Sequence, residues 1–104
     1  MQISPKAAAE LMKSDPRAKL LDVRTQEECE IACISGALLV ASEEAVREVM
    51  SWAKDTPVIV YCHYGIRSAG AVSYLSGHGF TNVKNMTGGI DRWSLEVDPN
   101  VPRY

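Results

Sequence analysis

The chain has 104 residues, 46% of them hydrophobic and 23% charged, a composition typical of one globular domain rather than of a disordered or fibrous chain. With 11 basic and 13 acidic residues its net charge is -2, which argues against binding to nucleic acid or to an anionic membrane surface. Apolar runs are too short to cross a bilayer, no signal peptide is visible, and three cysteines form no disulfide framework, so we expect a single cytoplasmic domain over residues 1–104.

The first half of the chain alternates amphipathic stretches with short apolar runs, a pattern that predicts alternating helices and strands. A capping box at Thr25 and Glu28 begins one of these helices. In chain order the predicted elements begin with a helix from Pro5 to near Asp15, a buried strand at residues 20–23 and a brief helix from Thr25 toward Ile31. A second strand follows, entered from a loop at residues 36–40. Ser42 then caps a helix that presents Ala45, Val46, Val49 and Trp52 on one face.

The second half of the chain begins with the uninterrupted β-branched run at residues 58–61, which is typical of the middle of a parallel sheet. After it we expect a helix at residues 68–75, a strand at residues 83–85, a tight turn at Gly88 and Gly89, and a last helix at residues 90–95. Strands that alternate with helices in this way predict an α/β layered fold.

Cys62 directly follows the buried strand and precedes a helix, where successive backbone N–H groups can converge on its sulfur. Such amides, together with the helix dipole, stabilise a thiolate and can lower a cysteine pKa from about 8.5 into the range ~3.5–7.5. We therefore predict that Cys62 is a nucleophile. Gly65 would supply a positive φ in the loop, and Arg67 a fixed charge that binds an anionic substrate or holds the loop closed.

The alternative is that Cys62 is an inert core thiol, since free cysteines are often buried. That interpretation leaves unexplained a glycine, an arginine and a serine within the next six residues. Cysteine-dependent phosphatases resemble the arrangement but place five residues between nucleophile and arginine, whereas four separate Cys62 from Arg67. The smaller ring suits a single terminal sulfur, carried on Cys62 as a persulfide.

Four motifs in order resemble the rhodanese (thiosulfate sulfurtransferase) family over nearly the whole chain. Residues 62–68 match the family's loop C-x-x-G-x-R-S, residues 21–24 with Glu28 resemble D-V-R-x-x-x-E, residues 34–37 resemble I-x-G-A, and residues 79–93 resemble G-F-x-x-V…G-G-I…W. The resemblance implies a rhodanese fold, in which helices flank a central parallel sheet on both faces.

The same resemblance implies an enzyme that moves sulfane sulfur from thiosulfate or a persulfide donor, through a Cys62 persulfide, to a nucleophilic acceptor. The acceptor would be a thiol, cyanide or a sulfur-carrier protein, and no cofactor or metal is expected. The site residues are expected to be Cys62 as nucleophile, the loop amides of His63, Tyr64, Gly65, Ile66 and Arg67 with the Arg67 side chain as the binding group, and Asp22, Arg24 and Ser68 as supports.

Residues 97–104 resemble the ending of rhodanese domains fused behind adenylating enzymes that load sulfur-carrier proteins. An alternative role is therefore sulfur donation to a carrier protein in molybdopterin- or thiamine-type biosynthesis. The same loop could instead support phosphatase or arsenate reductase chemistry, and the domain could be a non-catalytic interaction module. The intact Cys62 argues against an interaction module.

The chain departs from the family at three positions, since Cys29, Ala32 and Cys33 stand where an aromatic residue, a glycine and a histidine are usual. The i, i+4 spacing of the two cysteines would allow a redox pair or a metal site with a histidine. It lacks both C-x-x-C and a second ligand pair, so we expect the two thiols only to fill space.

For the charged and aromatic residues around the predicted site, we expect structural or substrate-binding roles rather than proton transfer. We expect an ion pair between Arg24 and Glu28, and Tyr64 either lining the mouth of the site or covering the loop. His63 is not needed as a base, because the amides already ionise the thiol. Arg67 and His63 beside the nucleophile predict thiosulfate rather than mercaptopyruvate as donor.

Overall fold

The computed structural model describes all 104 residues, which form five strands and five helices. The strands are β1 (Gln2–Ile3), β2 (Lys19–Asp22), β3 (Leu38–Leu39), β4 (Val58–Tyr61) and β5 (Val83–Met86). The helices are α1 (Pro5–Ser14), α2 (Gln26–Ile31), α3 (Glu43–Met50), α4 (Ile66–Gly77) and α5 (Gly89–Glu96). All strand pairs are parallel and the sheet order is β1-β5-β4-β2-β3, so β4 is central.

The alternation of side chains along β4 divides the core into two layers. Ile59 and Tyr61 face α1 and α5 and pack with Ala8, Ile90 and Trp93. Val58 and Val60 face α3 and α4 and pack with Val49, Val72 and Leu75. Helices therefore cover both faces of the parallel sheet, which confirms the predicted fold class.

The helix starts follow the capping residues in the sequence. The Ser4 hydroxyl accepts a hydrogen bond from the Ala7 amide at 3.1 Å, and the capping box of Thr25 and Glu28 is complete. Ser42 caps α3 in the same way. These caps satisfy N–H groups that the first helical turn leaves without partners.

One strand was not expected from the sequence, and two expectations about the helices are wrong. The sequence did not predict β1, an edge strand of two residues. Helix α4 begins at Ile66 rather than Ser68, because Gly65 caps it. Helix α3 ends at Met50, so Trp52 lies beyond it, and Val46 is exposed rather than in the core.

The five helices are also too short or too polar for any of them to span a membrane.

Candidate active site

Cys62 lies at the carboxyl end of the central strand β4, between that strand and the start of α4. In open α/β sheets this edge is where ligands usually bind. The residue is buried, with 1% of its surface exposed. Its sulfur is therefore almost shielded from solvent, and the loop formed by residues 62–68, called the Cys62 loop below, supplies the groups in contact with it.

Hydrogen-bond donors of the Cys62 loop converge on the Cys62 Sγ. The Gly65 amide lies 3.1 Å from it, and both the amide and the hydroxyl of Ser68 lie 3.3 Å from it. Burial raises the pKa of Cys62, but these hydrogen bonds, with a smaller contribution from the nearby Tyr64 amide, lower that pKa below its ordinary value. The environment therefore favours a thiolate.

The other residues of the Cys62 loop donate no hydrogen bond to the sulfur. The amides of His63, Ile66 and Arg67 donate no hydrogen bond to Sγ, and the Ile66 side chain is 82% exposed. Of the loop residues selected from sequence, Gly65 and Ser68 are thus the ones whose donors contact the sulfur.

Asn85, on the neighbouring strand β5, fixes the Cys62 loop from below. Its Oδ1 accepts a hydrogen bond from the Ser68 hydroxyl, and its Nδ2 donates to the Gly65 carbonyl at 3.0 Å. The Ser68 hydroxyl has one proton, so it can donate either to Asn85 or to Sγ. Ser68 can therefore stabilise a thiolate by turning its proton from Asn85 toward the sulfur.

Two glycines permit the close approach of the Cys62 loop to α5. Gly65 has a φ of 98°, as predicted, and a Cβ there would lie 3.3 Å from the Gly88 amide. Gly89 has a φ of 62°, and a Cβ there would overlap the carbonyl groups of Cys62 and His63. The amides of Ile90 and Asp91 donate to those carbonyls at 2.9 and 3.2 Å, so the start of α5 holds the loop in place.

The Arg67 side chain is held by Glu28. Its two terminal nitrogens donate to the two carboxylate oxygens at 2.7 and 2.8 Å, and the Tyr104 hydroxyl donates to the same carboxylate at 2.6 Å. The hydrogen bonds from Arg67 hold the pKa of Glu28 well below its usual range. The positive charge beside the loop is therefore largely balanced, although the Arg67 side chain stays 45% exposed.

The expected ion pair between Arg24 and Glu28 is wrong. Arg24 is buried and pairs with Asp22 at 2.6 Å, and it reaches only the main-chain carbonyl of Glu28. Its further contacts include the Tyr104 hydroxyl at 2.9 Å, while Asp22 also accepts from the Tyr61 hydroxyl at 2.8 Å. Asp22 makes no hydrogen bond to the Cys62 loop, and a chain of contacts through Arg24, Tyr104 and Glu28 connects it to Arg67 of that loop.

His63 lies between two aromatic rings at the surface of the Cys62 loop. It stacks on Tyr64 and on Tyr104, with ring centroids 3.9 Å apart in both pairs. Its Nε2 is buried without a hydrogen-bond partner. Tyr64 is 56% exposed, and its ring covers one face of the His63 imidazole.

Cys29 and Cys33 lie outside the Cys62 loop. Cys33 is exposed, so the expectation that it fills space is wrong. The two sulfurs and a carboxylate oxygen of Asp22 lie within 4.8 Å of one another, the one such group of possible metal ligands in the structure. Asp22 already binds Arg24 and Tyr61.

Sequence reasoning missed four contributions to this site, made by Asn85, Gly89, Glu28 as the partner of Arg67, and Tyr104. A polar residue in a strand that is otherwise mostly buried was the signal that could have identified Asn85. No local signal pointed to Tyr104, because its partners are 76 and 80 positions away.

Comparison with known proteins gives a consistent result. The family model of the rhodanese-like domain matches residues 4–96. The chain is 30% identical over 111 residues to adenylyltransferase and sulfurtransferase UBA4 of Candida albicans, covering 99% of this chain and 25% of that protein. It is 33% identical over 86 residues to thiosulfate sulfurtransferase GlpE of Vibrio cholerae, covering 83% of this chain and 81% of that protein.

Solved structures show the same similarity. A rhodanese-like domain protein from Staphylococcus aureus superposes with a TM-score of 0.78 at 26% identity, covering 100% of this chain and 99% of that one. The chain thus spans about a quarter of the length of UBA4 but most of the length of GlpE.

Proposed function

The chain belongs to the rhodanese-like domain family, and on that basis we propose that it is a sulfurtransferase, working as one cytoplasmic domain, which carries sulfane sulfur on Cys62. The observation that supports this most is the convergence of the Gly65 amide with the amide and hydroxyl of Ser68 on the Cys62 Sγ. These donors lower the pKa of a buried thiol, and a thiolate is the nucleophile that the reaction requires.

The proposed reaction has two steps. The Cys62 thiolate attacks the outer sulfur of thiosulfate, the bond between its two sulfur atoms breaks, and sulfite leaves with the electron pair. A nucleophilic acceptor such as cyanide or a thiol then attacks the terminal sulfur of the persulfide and restores the thiolate. Because Sγ is buried, the persulfide's terminal sulfur is the atom that lies nearer to the acceptor.

Arg67 is proposed to bind the anionic donor while remaining attached to Glu28. Its side chain is 45% exposed, so a sulfonate can reach it without breaking the ion pair. A charge-assisted hydrogen bond is worth about 1.5–3 kcal/mol, and the balanced charge of Arg67 puts the expected loss at the lower end, roughly tenfold. Arg67→Ala should therefore reduce kcat/KM for thiosulfate about tenfold, while Arg47→Ala on exposed α3 should not change it. If Arg67→Ala leaves kcat/KM for thiosulfate unchanged, this arginine only holds the loop closed.

A sulfur-carrier protein is a second candidate acceptor. UBA4, whose name includes both adenylyltransferase and sulfurtransferase activity, aligns with 99% of this chain. This chain's own Tyr104 belongs to the part of the sequence that resembles such fused domains, and it contacts Glu28 and His63 beside the loop. We propose that a carrier protein activated by a separate enzyme could be served in trans, as in molybdopterin- or thiamine-type biosynthesis.

The experiment that tests the proposal compares thiocyanate formation from thiosulfate and cyanide in three proteins. The wild type and Cys33→Ser, which removes an exposed thiol outside the loop, should both be active, and Cys62→Ser should be inactive. Hydrolysis of an aryl phosphate by the same proteins distinguishes phosphatase chemistry. Turnover that survives in Cys62→Ser, or robust Cys62-dependent phosphate release, would overturn the proposal.

A further inference from the structure

Cys29 and Cys33 form a pair of thiols that the proposed sulfur transfer does not use. Their sulfurs lie within 4.8 Å of each other, close to Asp22. Cys29, on α2, is partly buried, whereas Cys33, just beyond the end of α2, is exposed. Neither sulfur makes a hydrogen bond to the Cys62 loop.

A cation is a poor occupant of this position. Asp22 is the third possible ligand, but its Oδ2 already accepts from Arg24 at 2.6 Å and from Tyr61 at 2.8 Å. Arg24 is also fully buried and positively charged next to the carboxylate. A metal ion would have to displace that ion pair, so the chemistry that remains here is that of two thiols.

The two thiols differ in their protonation and in their exposure to solvent. The neighbouring Cys33 thiol, together with burial, raises the pKa of Cys29 to about 11, so Cys29 retains its proton. Cys33 is exposed as a residue whereas Cys29 is partly buried, so Cys33 is the thiol that meets a reagent first, although its Sγ lies 3.8 Å from Asp22 Oδ2. Once the Cys33 sulfur is bonded to another sulfur, its contribution to raising the pKa of Cys29 is removed.

The backbone at Cys33 permits the sulfurs to approach each other. Helix α2 ends at Ile31, and its C-cap Ala32 has extended φ and ψ of -157° and 132°, so Cys33 is not held in a helical turn. The main-chain amide and carbonyl of Cys33 make no hydrogen bond within the protein, whereas the flanking Ala32 and Ile34 are buried. A disulfide requires sulfurs about 2.05 Å apart. Arg24 donates to the Ala32 carbonyl at 2.7 Å and the Ile34 amide donates to the Tyr61 hydroxyl at 3.3 Å, so the movement that closes the gap falls on Cys33 itself.

We propose that Cys29 and Cys33 are a redox-active dithiol that closes to an intrachain disulfide by exchange with a low-molecular-weight disulfide. The Cys33 thiolate attacks one sulfur of the reagent, whose S–S bond breaks to release one thiolate and leave a mixed disulfide on Cys33. Cys29 then loses its proton to solvent and attacks the Cys33 sulfur, releasing the second thiolate. Two protein thiols are oxidised and one disulfide is reduced to two thiols.

The sequence provides a direct assay, since trypsin should release Cys29 and Cys33 together in residues 25–47 and Cys62 separately in residues 55–67. The folded protein is incubated with oxidised glutathione, its remaining thiols are blocked by alkylation, and it is digested without reductant. We expect the 25–47 peptide to lose two hydrogen atoms and to carry neither glutathione nor the alkylating group. In the Cys29→Ser variant the reaction should end at the mixed disulfide, with one glutathione on Cys33, because the second thiol is missing.

Two results would overturn the proposal. The first is a wild-type 25–47 peptide that keeps glutathione on Cys33. The second is a 25–47 peptide from the folded protein that is alkylated at both cysteines, under conditions in which the urea-unfolded protein is oxidised. The measurement follows only the 25–47 peptide and can be repeated in Cys62→Ser. Its outcome is therefore independent of whether Cys62 transfers sulfur.

Discussion

The Ser68 hydroxyl is the side-chain donor nearest to the candidate nucleophile, so Ser68→Ala tests how the loop activates Cys62. The hydroxyl lies 3.3 Å from Sγ and is fully buried. A hydrogen bond to a charged group is worth about 1.5–3 kcal/mol, and one pKa unit corresponds to about 1.36 kcal/mol. The hydroxyl stabilises the thiolate relative to the thiol, so its removal costs the thiolate about 1.5–3 kcal/mol and raises the pKa of Cys62. The amides of Gly65 and Ser68 remain, which limits the shift.

The pKa can be measured from the pH dependence of iodoacetamide alkylation, followed by mass spectrometry of the peptide of residues 55–67. That peptide contains Cys62 and neither Cys29 nor Cys33, so their reactions do not interfere. Ser73→Ala is the matched control, because Ser73 is an exposed serine on the same helix. An alkylation pKa in Ser68→Ala equal to that of the control would refute the role assigned to the hydroxyl.

Two further changes test the supports of the Cys62 loop. Arg67 holds the pKa of Glu28 below its usual range, so the carboxylate adds stability that is complete above its unfolded-state pKa of about 4.3 and is lost as pH falls through the lower folded value. Glu28→Gln should lower Tm at pH 7 and make Tm less dependent on pH below about 4; parallel Tm curves would contradict this. Gly89→Ala should destabilise the protein by about 1–3 kcal/mol in urea unfolding and slow Cys62 alkylation, because its Cβ meets the loop backbone. Gly70→Ala, in α4 with open space around it, should instead stabilise by roughly 0.5–1 kcal/mol, and equal effects of the two substitutions would contradict the close approach.

The parts of the fold that local sequence determines were predictable. The β-branched run of β4, the capping residues Ser4 and Ser42, and the capping box of Thr25 and Glu28 all act over a few residues. The position of Cys62 between a buried strand and a helix likewise follows from adjacent segments. By contrast, β1 has only two residues, too few to show an alternating pattern, and it depends on its pairing with β5.

The supports of the site could not be predicted in the same way, because they join distant parts of the chain. Arg24 and Glu28 have helical i, i+4 spacing, but α2 begins at Gln26, so Arg24 lies outside the helix and turns to Asp22 instead. Glu28 is then free to bind Arg67, which is 39 positions away. Only the folded sheet brings these residues together, and nothing in their local patterns indicates it.

The central claim is that Cys62 carries the transferred sulfur, and the most direct test is intact mass spectrometry after incubation with thiosulfate. The account predicts that the wild type and Cys33→Ser each gain one sulfur atom, that cyanide removes it, and that Cys62→Ser gains none. Sulfur that still appears on Cys62→Ser, or a folded wild type that gains no sulfur from thiosulfate or from a small-molecule persulfide, would contradict the account.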